Sequence, residues 1–213
     1  MKLSIKAISV FALVFALNSS VNAAMVKVDW LGTVTHSGVK KAVKRGNVIT
    51  GSFIYDDLSR AIISTRKFSS YKTKHVSEFS VNGLSGSMNK QGISVFNNIR
   101  GIGDAFVSSR DGRRAKYTGD LFGGFSVSNI FVNLTDSNRK ALSNTALPSF
   151  LDPTDFNFKG LSRIDFKGTN KHINFGVRSF SVSPVTTTVP EPPMLLLLGV
   201  TFLGLLGRKC KSV

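Results

Sequence analysis

Between its two apolar ends this chain offers few residues that could act as a nucleophile or hold a metal. His36, His75 and His172 are its only histidines, and no His-x-x-x-His or His-x-His spacing joins them for zinc. They read as surface imidazoles at strand ends and in loops. The one cysteine, Cys210, falls in the extreme C-terminal tail and reads as an ordinary tail residue. No Gly-x-Ser-x-Gly elbow occurs, so acyl transfer through a serine set against a base and an orienting acid has no visible motif. Glycoside hydrolysis needs two placed carboxylates. Glu78 is the only glutamate before the tail, and the aspartates are scattered, so any such pair would have to be assembled by the fold. Asp152-Pro153-Thr154-Asp155-Phe156-Asn157 gathers oxygen donors as a calcium loop does. It lacks the alternating acidic positions, the glycine and the distal glutamate of that loop, and reads as a turn opened by Asp152. The residues therefore argue against an enzyme, and no cofactor or metal is expected.

Charge is the stronger signal. The 213 residues carry a formal net charge of +16. Between Ala24 and Val189 there are 23 Lys and Arg against 11 Asp and Glu, a net of about +12 on the part of the chain between the apolar ends. Two clusters stand out: Lys40, Lys41, Lys44 and Arg45, and then Arg110, Arg113, Arg114 and Lys116 around Asp111-Gly112. Bases at this spacing suit many weak, salt-sensitive contacts to an acidic exopolysaccharide or extracellular DNA. The competing reading is that they are solvated loops that keep a Phe-rich sheet protein soluble and its edges unpaired. Sequence-specific DNA reading is not expected, because no recognition-helix pattern occurs.

The elements that must carry these loops read as β. Met25 to His36 alternates, with Val26, Val28, Trp30 and Val34 on one face and Lys27, Asp29, Thr33 and Thr35 on the other. Further strands are expected over Asn47–Tyr55, Glu78–Val81, Leu84–Met88, Ile93–Phe96, Ala105–Ser108, Phe125–Leu134, Leu161–Phe166 and Ile173–Val182. Asn82-Gly83, Asp111-Gly112 and Lys167-Gly168-Thr169-Asn170 supply hairpin turns between such runs. Only Asp136–Leu147 hints at a short helical turn. With 17 phenylalanines and many short strands, the expected fold is all-β, a single antiparallel β-sandwich, jelly-roll-like, with a Phe-rich core. No cysteine is available to this domain for a disulfide, so packing alone must hold it.

Both ends read as membrane addresses. Lys2 and Lys6 precede an apolar run from Ala7 to Leu17, and Val21-Asn22-Ala23 presents small residues for cleavage between Ala23 and Ala24, so 1–23 is a secretory signal peptide. At the other end, Pro190, Pro192 and Pro193 hold the chain extended before a charge-free run from Met194 to Gly207. As a helix that run would span about 21 Å at about 1.5 Å per residue, short of the roughly 30 Å of a bilayer core. Arg208, Lys209 and Lys211 follow it and favour the cytoplasmic side. The lysines of the leader favour the same side, so Ala24 to Val189 is expected to face outward. An ordinary C-terminal anchor is the bland alternative. A eukaryotic lipid-anchor signal fits less well, because it has no basic terminus.

Pro190-Glu191-Pro192, the short apolar run and the basic end resemble the PEP-CTERM sorting signal of Gram-negative bacteria. That resemblance implies recognition by an exosortase, a membrane-embedded cysteine enzyme, in bacteria that make exopolysaccharide. The protein would be its substrate, first anchored in the inner membrane with its ectodomain in the periplasm, then placed at the cell surface or in the extracellular matrix. The basic end departs from the family, whose signals often close on arginines alone where this one mixes Arg, Lys and Cys. Gly32-Thr33-Val34-Thr35, Gly51-Ser52-Phe53-Ile54-Tyr55-Asp56 and Ala146-Leu147-Pro148 resemble ectodomains of such proteins, a class with no assigned activity. The expected organisation is a signal peptide over 1–23, a β-sandwich ectodomain over 24–184, a spacer over 185–189 and a sorting signal over 190–213. Within that signal the apolar helix covers 194–207 and the basic tail 208–213. The expected role is structural or adhesive and noncatalytic. A binding module for acidic exopolysaccharide or extracellular DNA is the second reading, and a polysaccharide-active enzyme the third.

Overall fold

In a computed structural model, the described residues are 25–110, 115–158 and 160–185, with the side chains of Lys74, His75 and Arg110 excepted. Ten antiparallel strands follow one another: β1 (Met25–Ser37), β2 (Val48–Asp56), β3 (Ala61–Ser64), β4 (Phe68–Val81), β5 (Leu84–Ile99), β6 (Gly103–Arg110), β7 (Tyr117–Gly119), β8 (Val127–Asp136), β9 (Leu161–Phe166) and β10 (His172–Val185). They form one sheet in the order β3-β4-β2-β1-β10-β9-β8-β6-β5-β7, and a further pairing of β4 with β5 closes it on itself. Eight strands therefore make a ring. The short β3 and β7 lie along the remaining edges of β4 and β5.

The all-β antiparallel class expected from the alternation is the one observed, but the connectivity differs from a jelly roll, which needs two Greek keys. Here each strand of the ring pairs with its neighbour along the chain, and the first pairs with the last, so the ladder is a closed meander. The two layers of a sandwich become opposite halves of one continuous ladder. A ring of eight strands leaves an interior just wide enough for side chains to fill. Phenylalanine fills it: Phe53 of β2 reaches across to Phe106 of β6 with ring centroids 6.1 Å apart, and Tyr55 meets the same ring at 5.2 Å. Trp30 stacks on Phe175 at 5.1 Å, and Phe79 on Phe122 at 5.5 Å.

Several elements exceed what the residue pattern announced. Leu84–Met88 and Ile93–Phe96 are parts of the single strand β5, whose register against β4 shifts around Lys90, a non-glycine residue at φ 54°. Asn82-Gly83 forms the expected hairpin, with φ of 53° and 77°, as a two-residue turn of this kind requires. Asp136–Leu147 forms no helical turn. The Asp136 carboxylate instead takes the backbone N–H groups of Asn138, Lys140 and Ala141, offering that backbone an alternative to helical bonding. The one 3-10 turn among the described residues falls later, at Pro153–Asp155.

The connection from β8 to β9 caps one mouth of the ring, burying Leu142, Leu147, Leu151 and Phe156. Tyrosines pin it: Tyr55 Oη donates to the Pro148 carbonyl at 2.7 Å, and Tyr71 Oη to the Thr145 carbonyl at 2.6 Å. This gives Ala146-Leu147-Pro148 a physical role as the clamped stretch of the cap. Met25 pairs with Val185, so the chain enters and leaves the ring side by side at that mouth. The β1–β2 connection lies beyond the far end of β1, which at about 3.3 Å per residue is some 40 Å away.

Candidate functional site

The far mouth is built by a turn whose spacing sorts its side chains. Ala42 and Val43 N–H groups donate to the Val39 carbonyl at 2.9 and 3.0 Å, winding the chain so that Val39 and Val43 share one face and enter the core. Lys40, Lys41, Lys44 and Arg45 are left exposed on the other. Val34 donates to the Asn47 carbonyl at 2.9 Å and Gly46 donates to the Val34 carbonyl at 2.8 Å, fixing the loop onto β1. Thr35, His36, Ser37, Lys40, Lys44 and Arg45 line one hollow of about 490 Å³. A second, of about 390 Å³, is shared by Lys40 and Lys41 with Gly123, Phe125 and Lys171.

Three partners of this loop come from elsewhere in the chain. Lys171 places its Nζ 4.4 Å above the Phe125 ring, a cation on an aromatic face. The rings of His36 and His172 lie 5.4 Å apart, on β1 and β10. Sequence reasoning did not join Lys171 or Phe125 to the loop, because only the closing of β1 against β10 and the turn before β10 bring them there. His36 and His172 were read as separate surface residues, yet they form a pair beside the lysines.

Of the second basic cluster only the backbone of Arg110 and the whole of Lys116 are among the described residues. Arg113 and Arg114 lie outside the described residues with the Asp111-Gly112 turn. Arg110 pairs through its backbone with Gln91, and Lys116 donates its N–H to Asn89 Oδ1 at 2.8 Å, so these flank β5 rather than the far mouth. The stretch with calcium-like oxygen donors behaves as the turn expected of it. Asp152 Oδ1 accepts the Thr154 N–H at 2.9 Å and its hydroxyl at 2.7 Å, and the hydroxyl bond, then the N–H bond, hold its carboxyl below the usual range. Among the described residues no group of three His, Cys, Asp or Glu is placed to hold a metal.

The fold does bring two carboxylates to one face. Across the sheet, Ser181, Asp29, Ser52, Glu78, Ser87 and Thr118 form one row over β10, β1, β2, β4, β5 and β7. Asp29 and Glu78 thus stand two strands apart, about 10 Å between backbones at about 4.8 Å per strand. Lys27 lies beside them, its Nζ 2.8 Å from Asp29 Oδ1. Its pKa is raised by that bond and by the charge of Asp29, less desolvation, with a further contribution from Glu78. Some fifty residues of chain separate the two acids, and no local pattern could announce their pairing.

The sorting signal at 190–192, 194–207 and 208–213, the spacer from 186 and the cleavage point at Ala23 and Ala24 lie outside the described residues. No helix among the described residues is long and apolar enough to cross a membrane. Residues 188–211 match the family model of the PEP-CTERM protein-sorting motif. No curated protein and no solved structure matches the chain. The chain thus carries a PEP-CTERM protein-sorting motif, and that motif marks an exported, membrane-anchored precursor processed by an exosortase toward the cell surface.

Proposed function

We propose that this exosortase substrate is a noncatalytic structural or adhesive protein of the cell surface or biofilm matrix of a Gram-negative, exopolysaccharide-making bacterium. The observation that carries this reading is the polarity of the ring. Met25 and Val185 are paired, so leader and sorting signal depart together from one mouth, while the exposed basic loop stands at the other. With 1–23 and 190–213 in the inner membrane and 24–184 in the periplasm, the basic loop points away from the bilayer. Trimming the tail then releases the domain from the bilayer at the capped mouth and leaves the basic loop turned toward the matrix.

Chemistry at the carboxylate pair is the weaker alternative. Asp29 is engaged by Lys27 and Glu78 is exposed, whereas a general acid at neutral pH needs a carboxyl kept protonated by an apolar pocket. The full chain incubated with neutral or acidic polysaccharides should release no reducing ends, and sustained release that vanishes in Glu78→Gln would establish an enzyme instead.

A second reading has its own observation. His36, Lys40, Lys44 and Arg45 share one hollow and Lys41 shares the next with Lys171, an arrangement suited to an acidic exopolysaccharide or extracellular DNA. On immobilised alginate or duplex DNA, the protein should be retained at low salt and eluted as salt rises. Replacing Lys40, Lys41, Lys44 and Arg45 with Ser should shift elution to clearly lower salt. On DNA the log–log salt dependence should become shallower by roughly one unit for each phosphate that is no longer neutralised. Unchanged elution would remove this loop as the binding site. Arg110, Arg113, Arg114 and Lys116, replaced separately, test the other cluster in the same column.

A further inference from the structure

The outer face of β10, β1, β2, β4, β5 and β7 holds an open hollow of about 840 Å³, far larger than those at the basic mouth. Its floor is made of short hydroxyl side chains, among them Thr50, Ser52, Ser80, Ser87, Thr118 and Ser181. The registers set these in two adjacent rows. Ser181–Asp29–Ser52–Glu78–Ser87–Thr118 runs beside Ser179–Leu31–Thr50–Ser80–Ser85. Alternation explains why they share a face, since the intervening Phe180, Trp30 and Phe79 point into the core.

Two features separate this surface from the rest of the molecule. Its charged groups are Lys27, Asp29 and Glu78, a net of −1 on a domain whose loops are strongly basic. Trp30, Phe79 and Phe180 also line it but are almost wholly buried, so Leu31, 39 % exposed, is its one exposed large apolar side chain. A protein partner would seek several exposed aromatic or aliphatic anchors here and find a single leucine. A polyanion would meet two carboxylates.

We propose that this hollow binds a neutral, hydroxyl-rich polysaccharide strand. A carboxylate is an acceptor with two oxygens and suits a pair of adjacent sugar hydroxyls. Hydroxyls of serine and threonine both donate and accept, matching a ligand that does the same at every ring, and bridging water completes such contacts at little cost. Glu78 and Asp29 are the principal acceptors, and Lys27 holds Asp29 in place through its 2.8 Å ion pair. Six strands at about 4.8 Å give a floor about 24 Å across, enough for a short run of sugar units. This site is independent of the basic mouth and of the polyanion reading.

Affinity electrophoresis of the full chain in mild detergent, with dextran, hydroxyethyl cellulose or glucomannan cast in the gel, tests the proposal. At least one neutral polysaccharide should retard the protein, and raising the salt should leave the retardation largely intact. Glu78→Gln should weaken it about tenfold, the equivalent of one charge-assisted hydrogen bond. Asp29→Asn combined with Glu78→Gln should abolish it, while serine at Lys40, Lys41, Lys44 and Arg45 should leave it unchanged. Both carboxylates face outward, and an unaltered thermal midpoint shows that the variants fold. Retardation by none of the three polysaccharides, retardation unchanged in the double variant, or a preference for dextran sulfate over dextran would each overturn the site.

Discussion

Individual buried polar atoms decide how firmly the β8–β9 connection closes its mouth of the ring. Tyr55 is fully buried, and its hydroxyl is held in the phenol form by burial, with the charge of Asp57 adding to the effect. Tyr55→Phe leaves the Pro148 carbonyl without its 2.7 Å donor, which should cost about 1 to 2 kcal/mol and lower the thermal midpoint by several degrees. A midpoint unchanged by this variant would show that the cap is held by its leucines alone. Asp136 is the acidic counterpart. Burial pushes its carboxyl up, but the N–H groups of Lys140, Asn138 and Ala141, with the charge of Lys140, outweigh that and leave its pKa lowered. A lowered folded-state value means stability that is present above the ordinary carboxyl range and lost as pH falls through the folded value. Urea midpoints of the processed protein should therefore fall steeply below about pH 4. In Asp136→Asn the acid limb should be flatter and the neutral-pH stability lower by about 2 kcal/mol or more. The sequence showed Asp136 only as one residue of a polar stretch, because its partners are backbone groups that carry no residue code.

Among the elements, legibility followed the interior face. Strands β1, β2, β8, β9 and β10 alternate over most of their length, and the residue pattern places each to within a few residues. The first half of β4 was not, since its interior positions are Ser69, Tyr71 and Thr73, followed by Ser77, none of them aliphatic. Ser69 donates to Thr145 Oγ1 at 2.9 Å, and Ser77 lies 3.3 Å from Ser108 Oγ, so this stretch is built on buried hydroxyls that mimic a loop in composition. β3 is exposed at all four residues and β7 has only three, so neither has a pattern to read. The turns divide in the same physical way. Gly46 and Gly103 have φ of 90° and 89°, but a side chain at Gly46 meets open space, while one at Gly103 drives into the carbonyl of Asp136. Gly46→Ala should cost about 1 kcal/mol for its left-handed backbone. Gly103→Ala must also displace β8 and the Asp136 cluster, and should accumulate as insoluble or protease-sensitive protein. Equal solubility and midpoints for the two would contradict the packing of β6 against β8.

For the molecule as a whole, the address was more legible than the body. Pro190-Glu191-Pro192, the run from Met194 and the basic end are contiguous, and contiguous chemistry can be read directly. The antiparallel class and the β4–β5 hairpin at Asn82-Gly83 were legible too, but not the closing of β1 on β10, which pairs the two ends of the ring and which the residue pattern does not encode locally. The β1–β10 closure brings Lys171 to the basic mouth, while the ladder from β1 through β2 to β4 brings Glu78 to the same row as Asp29. One polarity then organises the account: Met25 and Val185 meet at the capped mouth, the basic loop stands at the opposite one, and the hydroxyl-lined hollow lies along the wall between them. That arrangement serves its proposed purpose only if the sorting signal is used. The most direct test is the mass of the C-terminal peptide of the protein recovered from the cell surface of its native host. The account predicts a peptide lacking the apolar run from Met194 onward, with Pro190→Ala and Glu191→Ala together restoring the full-length end. Surface protein that still terminates in Val213, or trimming unaffected by those two substitutions, would contradict it.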